Sequence, residues 1–196
     1  RRMRAATLPY ADDFITPMAA VAGAVADETL ANLIAGRKLS RAYVNNGGDI
    51  ALYLGEGERY VAALVTDPAT GRVAGRATVM AADSIRGIAT SGRHGRSHSL
   101  GIADAVTVLA ESAAAADAAA TMIANAVDLP GSVKIKRAPA HELYPDSDLG
   151  DRMVTVDVSG LTATEIDSAL EAGYGRARDL CSAGLIRSAF LALGRA

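Results

Sequence analysis

The chain has 196 residues, 50% of them hydrophobic and 21% charged, with 20 basic against 22 acidic side chains. That length supports a medium domain with a real core. The net charge of −2 argues against a protein that grips nucleic-acid phosphates, and the single cysteine excludes an internal disulfide framework. Alanine makes up about a fifth of the residues, a mark of close packing, and a 4% aromatic share without Trp leaves no base-stacking platform.

The chain begins Arg1-Arg2-Met3-Arg4, with no initiator Met, so an N-terminal portion is expected to be missing; no apolar run follows these arginines as it would in a signal peptide. The most apolar stretches, residues 18–34 and 105–127, are broken by Asp27-Glu28 and by Glu111 and Asp117. No transmembrane helix is expected, and a cytoplasmic location is the default.

In chain order, residues 18–34 read as an Ala-rich helix with Leu30, Leu33 and Ile34 on one face, started at Thr16-Pro17 and ended by Gly36. Residues 41–44 and 50–54 read as strands around Asn45-Asn46-Gly47-Gly48-Asp49, and residues 60–65 and 72–80 as a hairpin around Asp67-Pro68-Ala69-Thr70-Gly71. Strands at 85–89 and 104–109 bracket a polar loop at 90–99. Residues 111–126 form a helix, since Ala is the best helix former and Pro130-Gly131 comes only afterwards. A short strand at 133–135, a loop at 141–151 expected to be mobile, and a strand at 153–158 follow. Thr162 and Glu165 make a capping box, and Gly173, Gly175 and Gly184 divide the last helical region into two or three helices. The sum is α+β, a mostly antiparallel sheet with packed helices, in a single domain over residues 1–196.

Three segments could carry chemistry. Asn45-Asn46-Gly47-Gly48-Asp49 combines glycines, which let a ligand approach the backbone, with fixed polar side chains; a strand kink or bulge explains the same residues. The stretch 89–98 gathers Thr90, Ser91, Arg93, His94, Arg96, Ser97 and His98, where arginines suit phosphate oxygens and histidines move protons; a solvated basic loop is the plainer reading. Asp117 and Thr121, at i and i+4, put a carboxylate and a hydroxyl on one helix face, as Mg²⁺ accepts, among alanines that leave room for a ligand; such pairs are also routine on solvated helices. Cys181 reads as a small core residue, His141 has no zinc-ligand spacing, and lysine is confined to positions 38, 134 and 136.

Taken in order, these segments resemble the ApbE family of flavin transferases, and more closely its uncharacterised ApbE-like branch. The Lys-Gly-x-x-x-Asp segment of the transferases is similar to Ala22-Gly23 through Asp27, with Ala in place of Lys. Their Asn-x-Gly-Gly-Asp loop resembles Asn45-Asn46-Gly47-Gly48-Asp49, and their Thr-Ser-Gly loop Thr90-Ser91-Gly92, followed here by Arg93 and His94. Their Ser-His is similar to Ser97-His98, followed here by Ser99-Leu100-Gly101, and their Asp-Ala-x-Ala-Thr helix to residues 117–121.

The resemblance implies an ApbE-like fold, a duplicated T-fold-like arrangement, with Mg²⁺ on Asp117 and Thr121 and FAD as cofactor substrate. It implies binding through Gly23, Asp27, Asn45, Asn46, Gly47, Gly48, Thr90, Ser91, Gly92 and Arg93, and catalytic roles for His98 and Asp49. The expected activity is Mg²⁺-dependent transfer of FMN, or a related reaction on a phosphate-bearing cofactor with a protein acceptor as one substrate. The alternatives are a non-enzymatic flavin or nucleotide carrier, and a hydrolase or transferase on another small anion. Neither nucleic acid nor membrane is an expected partner, and homo-oligomerisation stays open.

Overall fold

A computed structural model describes residues 1–67, 70–95 and 97–194. Pro68 and Ala69 of the expected hairpin turn, and Arg96 of the polar loop, lie outside the described residues. The chain opens with a short helix α1 (Arg2–Thr7), and a 3-10 turn at Pro17–Ala20 leads into α2 (Val21–Ile34). Strands β1 (Arg41–Asn46) and β2 (Asp49–Leu54) make one hairpin, and β3 (Arg59–Asp67) and β4 (Arg72–Met80) a second. Strands β5 (Gly87–Ser91) and β6 (Ala105–Ala110) precede α3 (Ala113–Ala126). After these come β7 (Ile135–Pro139), the single turn α4 (Ala140–Leu143), β8 (Met153–Val158), α5 (Ala163–Ser182) and β9 (Ser188–Ala192).

The central sheet is antiparallel, in the order β1-β2-β5-β6-β9, with β3-β4 and β7-β8 as separate two-stranded ribbons. Strand alternation divides its side chains between two faces. Ile50, Leu52, Leu54 and Ile88 point to one face and bury Ala62 and Val79 of the β3-β4 ribbon. Ala51 faces the other way, onto Ala26 and Leu30 of α2, and Val106, Val108 and Ala110 join α3 and the Ala169, Ala177 and Leu180 stripe of α5. The expected α+β class with a mostly antiparallel sheet is what the chain forms.

Five sequence expectations are corrected. The last helical region is one helix of 20 residues, because Gly173 is not a break: a Cβ there would stand 2.3 Å from Val127 Cγ2, so glycine lets α5 approach closely. Cys181 is exposed, on the outer side of α5. The alanines flanking Asp117 do not clear a helix face: Ala116, Ala118, Ala119 and Ala120 are completely buried and let α3 sit tightly among its neighbours. The strand expected at 133–135 begins only at Ile135, and the loop at 141–151 opens with α4. That loop is tied down by a hydrogen bond from Thr16 to Asp148 and is followed by Arg152, whose guanidinium stacks 3.2 Å over the Phe14 ring.

Candidate functional site

Helices α2 and α3 cap each other. Asp27 of α2 accepts the Ala113 N–H at 3.0 Å on one carboxylate oxygen and the Ala114 N–H at 2.9 Å on the other. Ser112 takes the Ala115 N–H, so the first turn of α3 is satisfied by side chains from two elements. In return Asp117 of α3 accepts the Gly23 N–H at 3.0 Å and an N–H from Ala22, in the first turn of α2, whose own leading residue supplies no side-chain cap. Gly23 makes this exchange sterically feasible, because a Cβ there would lie 2.3 Å from the Ala113 carbonyl oxygen. The glycine and aspartate at 23 and 27 therefore have a physical reason for their spacing: one admits the neighbouring helix, the other caps it one turn later.

Asp49 reaches the same place from the sheet. It is 7% exposed, accepts the Thr90 N–H at 3.2 Å, and hydrogen-bonds the Asp117 carboxyl, a contact that needs a shared proton. Burial first, and the neighbouring Asp49 charge second, push the Asp117 carboxyl up to about 8, against the pull of the two α2 N–H groups. A buried acid and a half-buried one thus share one proton at this end of the sheet.

Asn46 and Asp49 close the β1-β2 hairpin as a two-residue turn, with Gly47 at φ 69° and Gly48 at φ 114°. Both central residues take positive φ, as this turn requires, so the segment is a tight hairpin turn and not a bulge. Asn45 accepts the Gly48 N–H on its side-chain oxygen at 2.8 Å, and Asn46 donates to the Ala22 carbonyl at 3.1 Å. The turn is thereby tied to the α2 end that holds Asp117.

The remaining expected residues divide. Thr90 joins Asp49 through its backbone and bonds Thr107 through its hydroxyl at 2.8 Å; Ser91 ends β5 opposite Val106. Gly92 lies where a Cβ would be 2.3 Å from the Asp104 carbonyl, so its close approach is to the protein's own backbone. Arg93 points its Nε and a terminal nitrogen at one oxygen of Asp104, each at 2.7 Å; His94 reaches the same oxygen at 3.1 Å, and the Gly194 N–H takes the other. The Arg93 guanidinium is thus partnered by Asp104. Thr121 follows Asp117 by one helical turn and is half-buried.

His98 lies in the β5-β6 loop with its ring 5.1 Å from that of Tyr144. Its buried Nε2 has no hydrogen-bond partner, nor do the buried hydroxyls of Ser99 and Thr155, whose backbones are joined by the Thr155 N–H to Ser99 carbonyl bond at 2.9 Å. No hydrogen bond among the described residues links His98 to Asp49 or Asp117. Sequence reasoning missed Asp104 as the partner of Arg93 and Tyr144 as the cover of His98; both are long-range contacts with no local signal.

Whether Mg²⁺ fits is decided by the donors. Asp49, Asp117 and the Thr121 hydroxyl are hard oxygen groups, and the two acids already crowd negative charge that a cation would relieve. Among the described residues no group of three or more His, Cys, Asp or Glu is arranged to hold a metal. A cation here would complete its shell with water and ligand phosphate, the usual habit of Mg²⁺.

A family model described as "AbpE bacteria" matches residues 1–196, and the chain belongs to that family. It is similar to the UPF0280 protein of Methanobrevibacter smithii, 37% identical over 150 residues, 74% of this chain and 61% of the relative. The UPF0280 proteins of Methanopyrus kandleri (41% over 114 residues, 57% of this chain and 43% of the relative) and Methanocaldococcus jannaschii (42% over 113 residues, 57% and 45%) are also similar. The chain spans about half the length of the curated relatives it matches. No helix among the described residues is long and apolar enough to cross a membrane.

Proposed function

We propose that this chain carries the catalytic core of a Mg²⁺-dependent enzyme acting on a phosphate-bearing cofactor, with transfer of FMN from FAD to a protein hydroxyl as its specific form. The observation that supports it is the proton-sharing Asp49–Asp117 pair, set between the first turn of α2 and a glycine hairpin turn. Two acids that share a proton beside a helix N-terminus hold more negative charge than their N–H partners neutralise, and a cation would relieve it.

Mg²⁺ would be held by Asp117, Thr121 and Asp49, and supplies neutralisation of pyrophosphate charge. The N–H groups of the first turn of α2 favour negative charge at the same point. His98, with Nε2 unpartnered and its ring against Tyr144, takes the proton of the attacking Ser or Thr hydroxyl as that oxygen bonds the FMN phosphorus. The pyrophosphate bond to AMP breaks in the same step, and AMP leaves. For His98 to act, Tyr144 must yield room to the acceptor.

The test is the mass of a flavoprotein acceptor incubated with this chain, FAD and Mg²⁺. A gain equal to one FMN, lost on chelation and in Asp117→Asn, is expected. No gain, in conditions where a known flavin transferase gives one, overturns the FMN-transfer form.

A further inference from the structure

Strand β1 is one edge of the central sheet: among the described residues it pairs only with β2. Asn46 and Asp49 close a two-residue hairpin, which makes Asn46–Asp49, Val44–Ala51 and Ala42–Tyr53 the hydrogen-bonded pairs. The Gly55 N–H to Ser40 carbonyl bond at 2.7 Å continues the same phase. The peptide groups of Arg41, Tyr43 and Asn45 therefore point outward, away from β2, and the side chains of these same residues are the exposed ones of the strand. A free edge of this kind is a template for another strand unless it is blocked.

Beside the edge lies a cleft of about 280 Å³ between β1 and the start of β3, walled by Tyr43 and Tyr60 with ring centroids 5.2 Å apart and floored by Leu54. Arg41 and Arg59 flank it, and neither has an ion-pair partner among the described residues; no carboxylate lines the cleft. Two guanidiniums without an ion-pair partner beside the cleft attract an acidic side chain. A second copy of the chain would bring two more guanidiniums to the same place, so self-pairing through this edge is electrostatically opposed.

We infer that β1 is a docking edge for an acidic, extended polypeptide segment, which adds as a strand and seats a carboxylate between Arg41 and Arg59. Strand addition draws affinity from main-chain hydrogen bonds and specificity from alternate side chains, and this edge offers both. The strand leads from Arg41 to Asn46 and into the Gly47–Gly48 turn, so a docked segment is guided toward Asp49. Its role in delivering an acceptor hydroxyl rests on the proposed function; the docking itself does not.

The test is fluorescence anisotropy with a labelled peptide of alternating Thr and Glu. Binding is expected that weakens with added salt, falls about tenfold or more in Arg41→Glu/Arg59→Glu, as loss of one good charge contact gives, and is lost when alternate peptide nitrogens are methylated. Binding in Asp117→Asn is expected to be unchanged, which separates this docking from the metal site. Equal binding of a Thr-Lys peptide, or indifference to methylation on the unaltered chain, overturns the inference even if the double variant does not fold. A concentration-dependent dimer that the Arg41→Glu variant abolishes overturns it in favour of a second copy.

Discussion

Replacing Gly23 by Ala puts two opposed effects in one substitution. Glycine inside a helix is worth about 0.5–1 kcal/mol less than alanine, so propensity alone favours the change. At Gly23, however, the new Cβ would stand 2.3 Å from the Ala113 oxygen, 2.5 Å from its carbonyl carbon and 2.7 Å from the Ala114 nitrogen. These are backbone atoms and cannot swing aside, so α2 must retreat from α3 by about 1 Å to reach ordinary contact. Overpacking of this kind costs about 1–3 kcal/mol. The retreat also stretches the two bonds from Asp27 to the α3 start and the bond from Gly23 to Asp117, and hydrogen bonds to charged groups are worth about 1.5–3 kcal/mol each. The steric and capping terms win, and Gly23→Ala is expected to lower unfolding free energy by about 3–6 kcal/mol, a large part of a domain's stability. The control is Gly175 of α5, where a Cβ meets nothing within 4 Å; Gly175→Ala is expected to stabilise by about 0.5–1 kcal/mol. Urea unfolding followed by circular dichroism reads both. A Gly23→Ala protein as stable as the original would refute the close helix approach and the reciprocal capping built on it.

The Asp117 proton gives stability a pH dependence in chelator-containing buffer. With its pKa raised to about 8, the folded state holds a proton that the unfolded state has released, so stability is greatest at low pH and declines as pH rises toward that value. The slope is about 1.4 kcal/mol per pH unit between about pH 5 and 7.5. Asp117→Asn keeps an acceptor for the α2 N–H groups, donates to Asp49, and is expected to remove this slope; identical urea midpoints against pH for both proteins would contradict the shared proton. Glu165, held at about 2 by Lys134 and by the Thr162 cap, acts in the opposite sense, and its contribution is lost only as pH falls below about 4.5. Asp27→Ala leaves the Ala113 and Ala114 N–H groups without their side-chain acceptor and is expected to cost about 2–4 kcal/mol in the same unfolding assay.

The elements legible in the sequence are those with strong local grammar. The alanine run of α3, the capping box at Thr162 and Glu165, and the strands on either side of the Asn46–Asp49 turn all appear within a few residues of their expected bounds. Gly173 misled because a glycine's helix-breaking tendency is local, whereas its close approach to Val127 and Leu191 is tertiary. Cys181 misled because the apolar residues around it belong to a different face of α5.

At the site, the sequence brought out Asp117 by its spacing to Thr121 and Asp49 by its glycine loop, and Gly23 and Asp27 through the resemblance to the flavin transferases. That Asp27 and Asp117 cap opposite helices, and that Asp49 shares a proton with Asp117, depends on bringing a sheet turn and two helices to one point. Arg93 shows the limit in the other direction: an arginine beside a glycine loop reads as an anion clamp, yet Asp104 across the β5-β6 loop takes its guanidinium.

The most direct measurement of the central claim is FAD binding by isothermal titration, with Mg²⁺ and with chelator, on the unaltered chain and on Asp117→Asn. Binding is expected only with Mg²⁺ and is expected to be lost in the variant while its fold is retained. FAD binding that is equally tight with chelator and unaffected by Asp117→Asn would contradict a metal-assisted site at the Asp49–Asp117 pair.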